Sequence, residues 1–259
     1  MARFYTPKSA TALVICCGAL INPTVSTALT FQAEAGAALS LVSFDFDRGG
    51  SADGNVLALD ARYHLAPIEL VGPWMESGFL QKSSSIGAQL SRSGGDFNSD
   101  TDIGLDVFFV TAENFIVGGG LSSDDTNDLF FLGGTYLDDR TTALIRISLG
   151  DADSIGAEYK TLTQVASGND VTLEAGIALI NAADTGIAID LSGVYFLSDQ
   201  MGVGGLFSFE DVGSNDQMTL GASVDYGVSE TLTAVGGVTL GFGDFVDTTT
   251  FTVGVSGRF

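Results

Sequence analysis

The chain ends in TTTFTVGVSGRF (248–259), a stretch in which apolar side chains occupy every second position. Phe251, Val253 and Val255 alternate with Thr, Gly and Ser residues, and the last residue is the aromatic Phe259. Successive side chains of a β-strand point to opposite faces of the sheet. The pattern therefore predicts a strand with one apolar and one polar face.

The same alternation recurs along the chain, interrupted by clusters of Gly, Asp, Asn and Ser that are typical of turns. Pro67 and Pro73 share one connection, so the predicted strands have no Pro in their interiors. We predict fourteen strands in one domain. They cover 30–44, 55–65, 79–91, 102–111, 115–122, 129–137, 141–149, 155–164, 171–180, 186–197, 201–210, 217–227, 231–241 and 248–259. If the weak segments 115–122 and 129–137 are not strands, twelve remain.

The positions of the aromatic residues distinguish a membrane barrel from a soluble β-sandwich. In an up-and-down antiparallel sheet, the C-terminal ends of all even-numbered strands lie at one rim. The aromatics near those ends are Tyr63, Tyr136, Tyr159, Tyr195, Tyr226 and Phe259. A ring of aromatics at one height is typical of a membrane interface, and a sheet in lipid must close. The sequence therefore predicts an all-β fold: a closed antiparallel transmembrane β-barrel with an aromatic girdle.

Residues 1–28 have the features of a secretory signal peptide. A basic start is followed by the apolar segment 11–21, and small residues precede a cleavage point after Ala28. The apolar segment is too short to cross a bilayer as a helix. Both cysteines lie within it, so the barrel domain 29–259 is expected to have no disulfide and no thiol.

The composition argues against several classes of function. The formal net charge is −22, which disfavours binding to nucleic acid. The single histidine, His64, is predicted at a barrel rim and is more easily explained as a lone polar residue than as part of a catalytic triad. The acidic stretches 94–102 and 122–128 resemble solvated loops more than metal sites. We expect no catalytic residue, no cofactor and no metal.

The polar faces of the predicted strands contain seven acidic and four basic residues. They are Glu34, Asp60, Arg62, Asp106, Arg146, Glu158, Lys160, Glu174, Asp190, Asp225 and Arg258. Many other inward positions are Gly, Ser or Thr, and a fourteen-strand barrel is too wide for side chains alone to fill. Rings of charge set ion preference in such a lumen. The pattern predicts an outer-membrane porin for passive, weakly cation-preferring diffusion of ions and small hydrophilic solutes.

The runner-up function is a non-conducting barrel, and a barrel enzyme ranks third because the chain has a single histidine. A non-conducting outer-membrane barrel with a structural or adhesion role would share the same wall. A transporter of hydrophobic solutes would need an apolar inward patch and usually an N-terminal plug, and strand 1 is predicted to begin directly after the signal peptide.

The direction of the strands assigns the connections to two sides. Those after odd-numbered strands are expected outside the cell and are rich in Asp, whereas those after even-numbered strands face the periplasm and are mostly short. The exception is the connection 64–78, which contains Trp74, the single Trp of the chain. We expect it to cover part of the periplasmic mouth, and we expect no connection to fold into the lumen.

The stretch RYHLAPIELVGPWMESGFLQKSSSIGAQL (62–90) resembles the region between the second and third strands of a porin family of Gram-negative bacteria. The shared residues are Tyr63, Pro67, Gly72, Pro73, Glu76, Phe79, Leu80, Ser83 and Ser84. The resemblance implies a Gram-negative outer-membrane protein in contact with lipid and lipopolysaccharide. Phe259 is similar to the terminal aromatic that the barrel assembly machinery recognises, so deletion of Phe259 should impair insertion.

Overall fold

The computed structural model describes residues 30–47, 49–96, 99–123, 127–150, 152–182, 184–213 and 215–259. The predicted signal peptide, 1–28, lies outside these residues. Fourteen antiparallel strands form one closed barrel, as predicted. The strands are β1 (Thr30–Phe46), β2 (Ser51–Glu69), β3 (Ser85–Gly95), β4 (Thr101–Val110), β5 (Phe115–Ser123), β6 (Asn127–Asp138), β7 (Thr141–Leu149), β8 (Asp153–Gln164), β9 (Asp170–Asn181), β10 (Thr185–Ser198), β11 (Met201–Val212), β12 (Asn215–Ser229), β13 (Leu232–Gly243) and β14 (Val246–Arg258).

Each strand pairs with its neighbours in sequence, and β1 closes the barrel by pairing with β14. Their register runs from Glu34 opposite Arg258 to Phe46 opposite Val246. Closure leaves no sheet edge, so the backbone N–H and C=O groups of the wall are paired. The segments 115–122 and 129–137 correspond to β5 and β6, so the twelve-strand alternative is wrong.

The outward face of the barrel is apolar, as the alternation predicts. Val253 on β14 is 62% exposed, and its neighbours on the same face are similar. Large apolar residues exposed on this face include Leu39, Leu59, Leu105, Phe131, Ile145, Ile177, Leu191, Val224 and Phe251. Apolar surface on this scale is unfavourable in water. No helix in the described ranges is long and apolar enough to cross a membrane.

The connection between β2 and β3, residues 70–84, differs from all the others. Each other connection between the described strands has five residues or fewer. This one contains a 3-10 turn (Trp74–Glu76) followed by the single-turn helix α1 (Ser77–Leu80). The predicted third strand, 79–91, therefore began too early, because residues 79–84 belong to this connection. We call residues 70–84 the plug.

The plug lies at the end of the barrel that holds Thr30 and Phe259, which we call the terminal end. It packs across this end instead of extending away from it, as its contacts show below. Gly72 (φ 59°) and Lys82 (φ 51°) adopt left-handed backbone conformations near its two ends. The expectation that no connection folds into the lumen is wrong: the plug reaches residues on the inner face of the wall.

Candidate functional site: the lumen and its plug

The centre of the plug is held by a buried ion pair. Glu76 is 7% exposed, and its Oε2 lies 2.8 Å from the Lys160 ammonium on β8. The Thr172 hydroxyl on β9 donates a hydrogen bond of 2.9 Å to the other oxygen of Glu76. Lys160 also pairs with Glu174 at 2.8 Å and lies over the Phe79 ring. A charged group is seldom buried without such partners, so these contacts fix Glu76 against the wall.

Trp74 anchors one side of the plug. Arg258 Nη2 on β14 donates a hydrogen bond of 3.1 Å to the Trp74 carbonyl. The Trp74 N–H donates to the carbonyl of Asp199, in the turn between β10 and β11, at 2.9 Å. The indole ring covers Gly227 on β12, where an added Cβ would lie 2.8 Å from the ring. A glycine is therefore needed at position 227 for this packing.

The opposite side of the plug contacts β6 and two turns. The Tyr136 hydroxyl donates to the Phe79 carbonyl at 3.1 Å, and the two rings pack 5.6 Å apart. The Lys82 ammonium donates to Asn114 Oδ1 at 3.0 Å and to Asp139 Oδ1 at 2.9 Å. The hydrogen bond from Lys82 lowers the pKa of the Asp139 carboxyl. The plug thus spans the terminal end from β14 to β6.

Tyr136 corrects the predicted girdle. It is 8% exposed and faces inward, towards Phe79. The prediction used only its position near the end of an even-numbered strand. On β6 it shares a face with the buried Leu132, whereas Phe131 is on the outward face. Placing Tyr136 in an outward ring was therefore wrong.

The other predicted girdle residues are on the outward face. Tyr63, Tyr159, Tyr226 and Phe259 are exposed. Tyr195 is partly exposed, with its hydroxyl 3.3 Å from Ser167 Oγ. Their role as a membrane-interface girdle stays a prediction.

His64 is buried behind the plug. Its Nδ1 lies 2.7 Å from Ser83 Oγ, and its Nε2 lies 3.8 Å from Glu34 Oε1. The ring packs edge-on against Phe31 at 5.7 Å. Because Ser83 Oγ donates to the Ser84 carbonyl at 3.2 Å, it can accept the proton of His64 Nδ1. His64 thus links β1 and β2 to the end of the plug.

All eleven side chains predicted to line the pore project from inward-facing strand positions, opposite the exposed apolar residues. They are Glu34, Asp60, Arg62, Asp106, Arg146, Glu158, Lys160, Glu174, Asp190, Asp225 and Arg258. Their role in conduction stays a prediction. Arg258 is more than a lining residue, because it is buried and holds the plug.

The basic members of this set are neutralised by neighbouring carboxylates. Arg62 pairs with Asp106 at 3.3 Å. Arg146 pairs with Glu158 at 2.6 Å. The remaining two pair within the plug anchors: Lys160 with Glu76 and Glu174, and Arg258 with Glu34.

Two lumenal acids differ. Within the described ranges, no Lys or Arg lies within 4.0 Å of Asp190 on β10 or Asp225 on β12. Asp190 instead accepts a hydrogen bond of 2.6 Å from the Ser208 hydroxyl. The negative charge of the lumen is therefore least compensated on the β10–β12 wall.

Sequence reasoning missed Glu76 and Trp74 as structural anchors. Both lie in a segment without periodicity, and their partners are far away in sequence. The available signal was the length of the connection, together with a Glu between apolar residues. Within the part of the chain that is described, no group of three or more His, Cys, Asp or Glu is placed to hold a metal. The acidic stretches 94–102 and 122–128 lie partly outside that part.

Comparison with known proteins is consistent with this architecture. The sequence matches the profile of a family described as "Putative general bacterial porin" over residues 12–153, more than half of the chain. No curated protein sequence matches significantly. The Acinetobacter baumannii outer membrane protein Omp33 superposes with a TM-score of 0.65 at 15% identity, covering 90% of this chain and 100% of that one. A bacterial polysaccharide outer membrane secretin gives a TM-score of 0.51 at 8% identity, with coverages of 89% and 99%. At these identities the structural likeness shows the fold alone.

Proposed function

Because this chain belongs to the general bacterial porin family, we propose that it forms a water-filled pore for passive diffusion of ions and small hydrophilic solutes, with a weak preference for cations. Family and fold place the chain in the outer membrane of Gram-negative bacteria. They indicate a channel rather than an enzyme.

The uncompensated acids of the lumen carry the proposed cation preference. The four inward basic side chains are paired with carboxylates, whereas Asp190 and Asp225 have no basic partner in the described ranges. Fixed charge in a narrow aqueous path raises the local concentration of ions of opposite sign. The preference should be weak, since it comes from a few groups on one side of the lumen.

The plug limits the size of the solutes. It packs against residues of β6, β8, β9, β12 and β14, so any path through the terminal end must pass beside it. We therefore expect a pore of low conductance that admits ions and excludes large solutes.

The same plug favours a second candidate, a non-conducting barrel with a structural or adhesion role. The contacts of the plug with β6, β8, β9, β12 and β14 would close the lumen in a barrel that has no gap beside the plug. The two candidates differ in one observable, the passage of ions through the folded protein.

Recording from the refolded mature protein in a planar bilayer tests the proposal. Stepwise conductance under a salt gradient, with a reversal potential of the sign expected for cations, supports the pore. A silent bilayer, with a barrel shown to be folded by heat-modifiable migration on a gel, would support the structural role instead. A reversal potential of the sign expected for anions would contradict the assigned negative charge of the lumen.

We also propose that the barrel assembly machinery recognises Phe259 before the barrel closes. In the finished structure the Phe259 N–H donates to the Ala33 carbonyl at 2.8 Å, and its own carbonyl accepts from Gln32 at 2.7 Å. The terminal residue is therefore paired with β1 once folding is complete. Lipid and lipopolysaccharide are the expected partners of the outward face.

A further inference from the structure

A cavity of about 430 Å³ is recessed into the inner wall formed by β2 to β7. Its polar and aromatic lining comes from Arg62, Gln89, Asp106, Asp128, Phe130 and Arg146. The volume falls within the range of small-molecule sites in proteins. None of these side chains belongs to the contacts that hold the plug.

Glycines on neighbouring strands create the recess. The Asp106 carboxylate lies over Gly87, where an added Cβ would be 2.3 Å from it. The Phe130 ring lies over Gly120 in the same way, with 2.5 Å to an added Cβ. Gln89 covers Gly104 and Asp128 covers Gly150.

Four lining side chains are thus laid flat against glycine positions, which keeps the hollow open and fixes their orientation. Groups that are already oriented lose less conformational entropy when a ligand binds.

The two guanidinium groups of the cavity are oriented but not saturated. Arg62 stacks over the Phe108 ring at 5.4 Å and Arg146 over the Phe130 ring at 4.8 Å. Arg62 donates only from Nη2, to Asp106, and Arg146 only from Nε, to Glu158, among hydrogen bonds within the described ranges. An Arg carries five N–H donors. Both side chains are more than one third exposed, so the remaining donors face the lumen.

The charges lining the cavity are balanced, with two guanidinium groups and two carboxylates. A simple anion would approach Asp106 and Asp128, and a simple cation would approach Arg62 and Arg146. A ligand that carries both charges can meet both sets, with its carboxylate on the guanidinium donors and its ammonium on the carboxylates.

We propose that this cavity is a binding subsite for zwitterionic solutes, namely amino acids or short peptides without net charge. The inference rests on the proposed pore, since the cavity is reached from the lumen. It adds a preferred class of solute to that pore.

Calorimetric titration of the folded mature protein in detergent micelles tests the subsite without requiring conduction. The probe is L-glutamine. Its matched controls are N-acetyl-L-glutamine, which lacks the ammonium, and L-glutaminamide, which lacks the carboxylate. Saturable binding of L-glutamine, at least about tenfold tighter than either control, is the expected result, because hydrogen bonds to charged groups are the strong ones.

Variants locate the binding. Arg146→Gln should weaken the binding of L-glutamine about tenfold. Arg92→Gln should leave this binding unchanged, because Arg92 lies opposite Leu57 in the strand register and therefore on the outward face. Gly104→Ala should also weaken this binding, because the new Cβ displaces the flexible Gln89 side chain into the recess. Heat-modifiable migration checks that each variant folds.

Absence of L-glutamine binding, equal binding of the three probes, or an unchanged affinity for L-glutamine in Arg146→Gln and Gly104→Ala would overturn the subsite. A silent bilayer together with selective binding would instead count against the pore while leaving the subsite in place. Ion conduction without L-glutamine binding would support the proposed pore and contradict the proposed subsite.

Discussion

The outward face of the barrel and the plug keep their places by different kinds of interaction. The outward face uses many exposed apolar side chains, such as Phe251 and Val253, and burial of apolar area in lipid has no preferred direction. The plug depends on a few directional contacts, chiefly Glu76 with Lys160 and Trp74 with Arg258. The comparison implies that the outward face tolerates exchange of one apolar side chain for another and is destabilised by polar or charged substitutions. The plug, in contrast, should be destabilised by the loss of a single charged or hydrogen-bonding group.

The largest effect is expected from Lys160→Met. This change leaves the Glu76 carboxylate buried without its cation, which should destabilise the docked plug by about 3 kcal/mol. Trp74 is the single Trp of the chain, so acrylamide quenching of its fluorescence reports plug position directly. Quenching should increase strongly, and pore conductance should increase with it.

Arg146→Met is the matched control, because this cation is also lumenal and paired but does not touch the plug. Equal quenching in both variants would mean that the Glu76–Lys160 pair does not hold the plug.

A charge on the outward face should have the next largest effect. Val253→Arg places a guanidinium on the outward face of β14, at a cost of about 2–4 kcal/mol if the site lies near the bilayer midplane. Thr250→Arg, on the inward face of the same strand, should cost much less. Urea unfolding in lipid vesicles measures both. Similar losses for the two variants would contradict the assignment of faces.

Gly227→Ala tests the packing of the plug without changing any charge. The new Cβ would lie 2.8 Å from the Trp74 ring, so the indole must move, with an expected cost of about 1–3 kcal/mol. Gly236→Ala is the control, because a Cβ there meets open space. A shift of Trp emission in the first variant alone is expected. Identical spectra in both would show that the indole does not depend on Gly227.

The smallest effect concerns pH at the rim of the plug. The hydrogen bond from Lys82 lowers the pKa of Asp139, so its stabilising contribution is complete above the ordinary aspartate value of about 3.9. The contribution is lost as the pH falls through the lowered pKa. Because Asp139 is fully exposed, the change should be small.

Trp74 quenching followed from pH 7 to acid should show an additional step in the wild type that Asp139→Asn lacks. Identical pH profiles of Trp74 quenching in the wild type and in Asp139→Asn would show that Asp139 does not stabilise the plug.

The strands could be predicted because a wall between lipid and water imposes alternation on each of them, as in β14. The same alternation placed the aromatic residues near the strand ends on the outward face, but this prediction was wrong for Tyr136. The sequence around it, with Phe130, Phe131 and Leu132 in succession, does not reveal which face is outward.

The plug could not be predicted from periodicity. Its 3-10 turn and its four-residue helix are too short for a repeat. Glu76 meets Lys160, a residue 84 positions later, through the tertiary fold of the barrel. The charge pairs of the lumen are also tertiary, so the sequence predicted which acids face inward but not which of them lack a basic partner.

Reversal potential in a planar bilayer under a salt gradient tests the central claim most directly, when wild type is compared with the Asp190→Asn/Asp225→Asn double variant. The wild type should reverse on the cation side, and the double variant should move most of the way to zero, because it removes two lumenal acids that no Lys or Arg of the described ranges approaches within 4.0 Å. Asp247→Asn, which changes an exposed acid near the start of β14, should alter the reversal potential little. An unchanged reversal potential in the double variant would contradict the account.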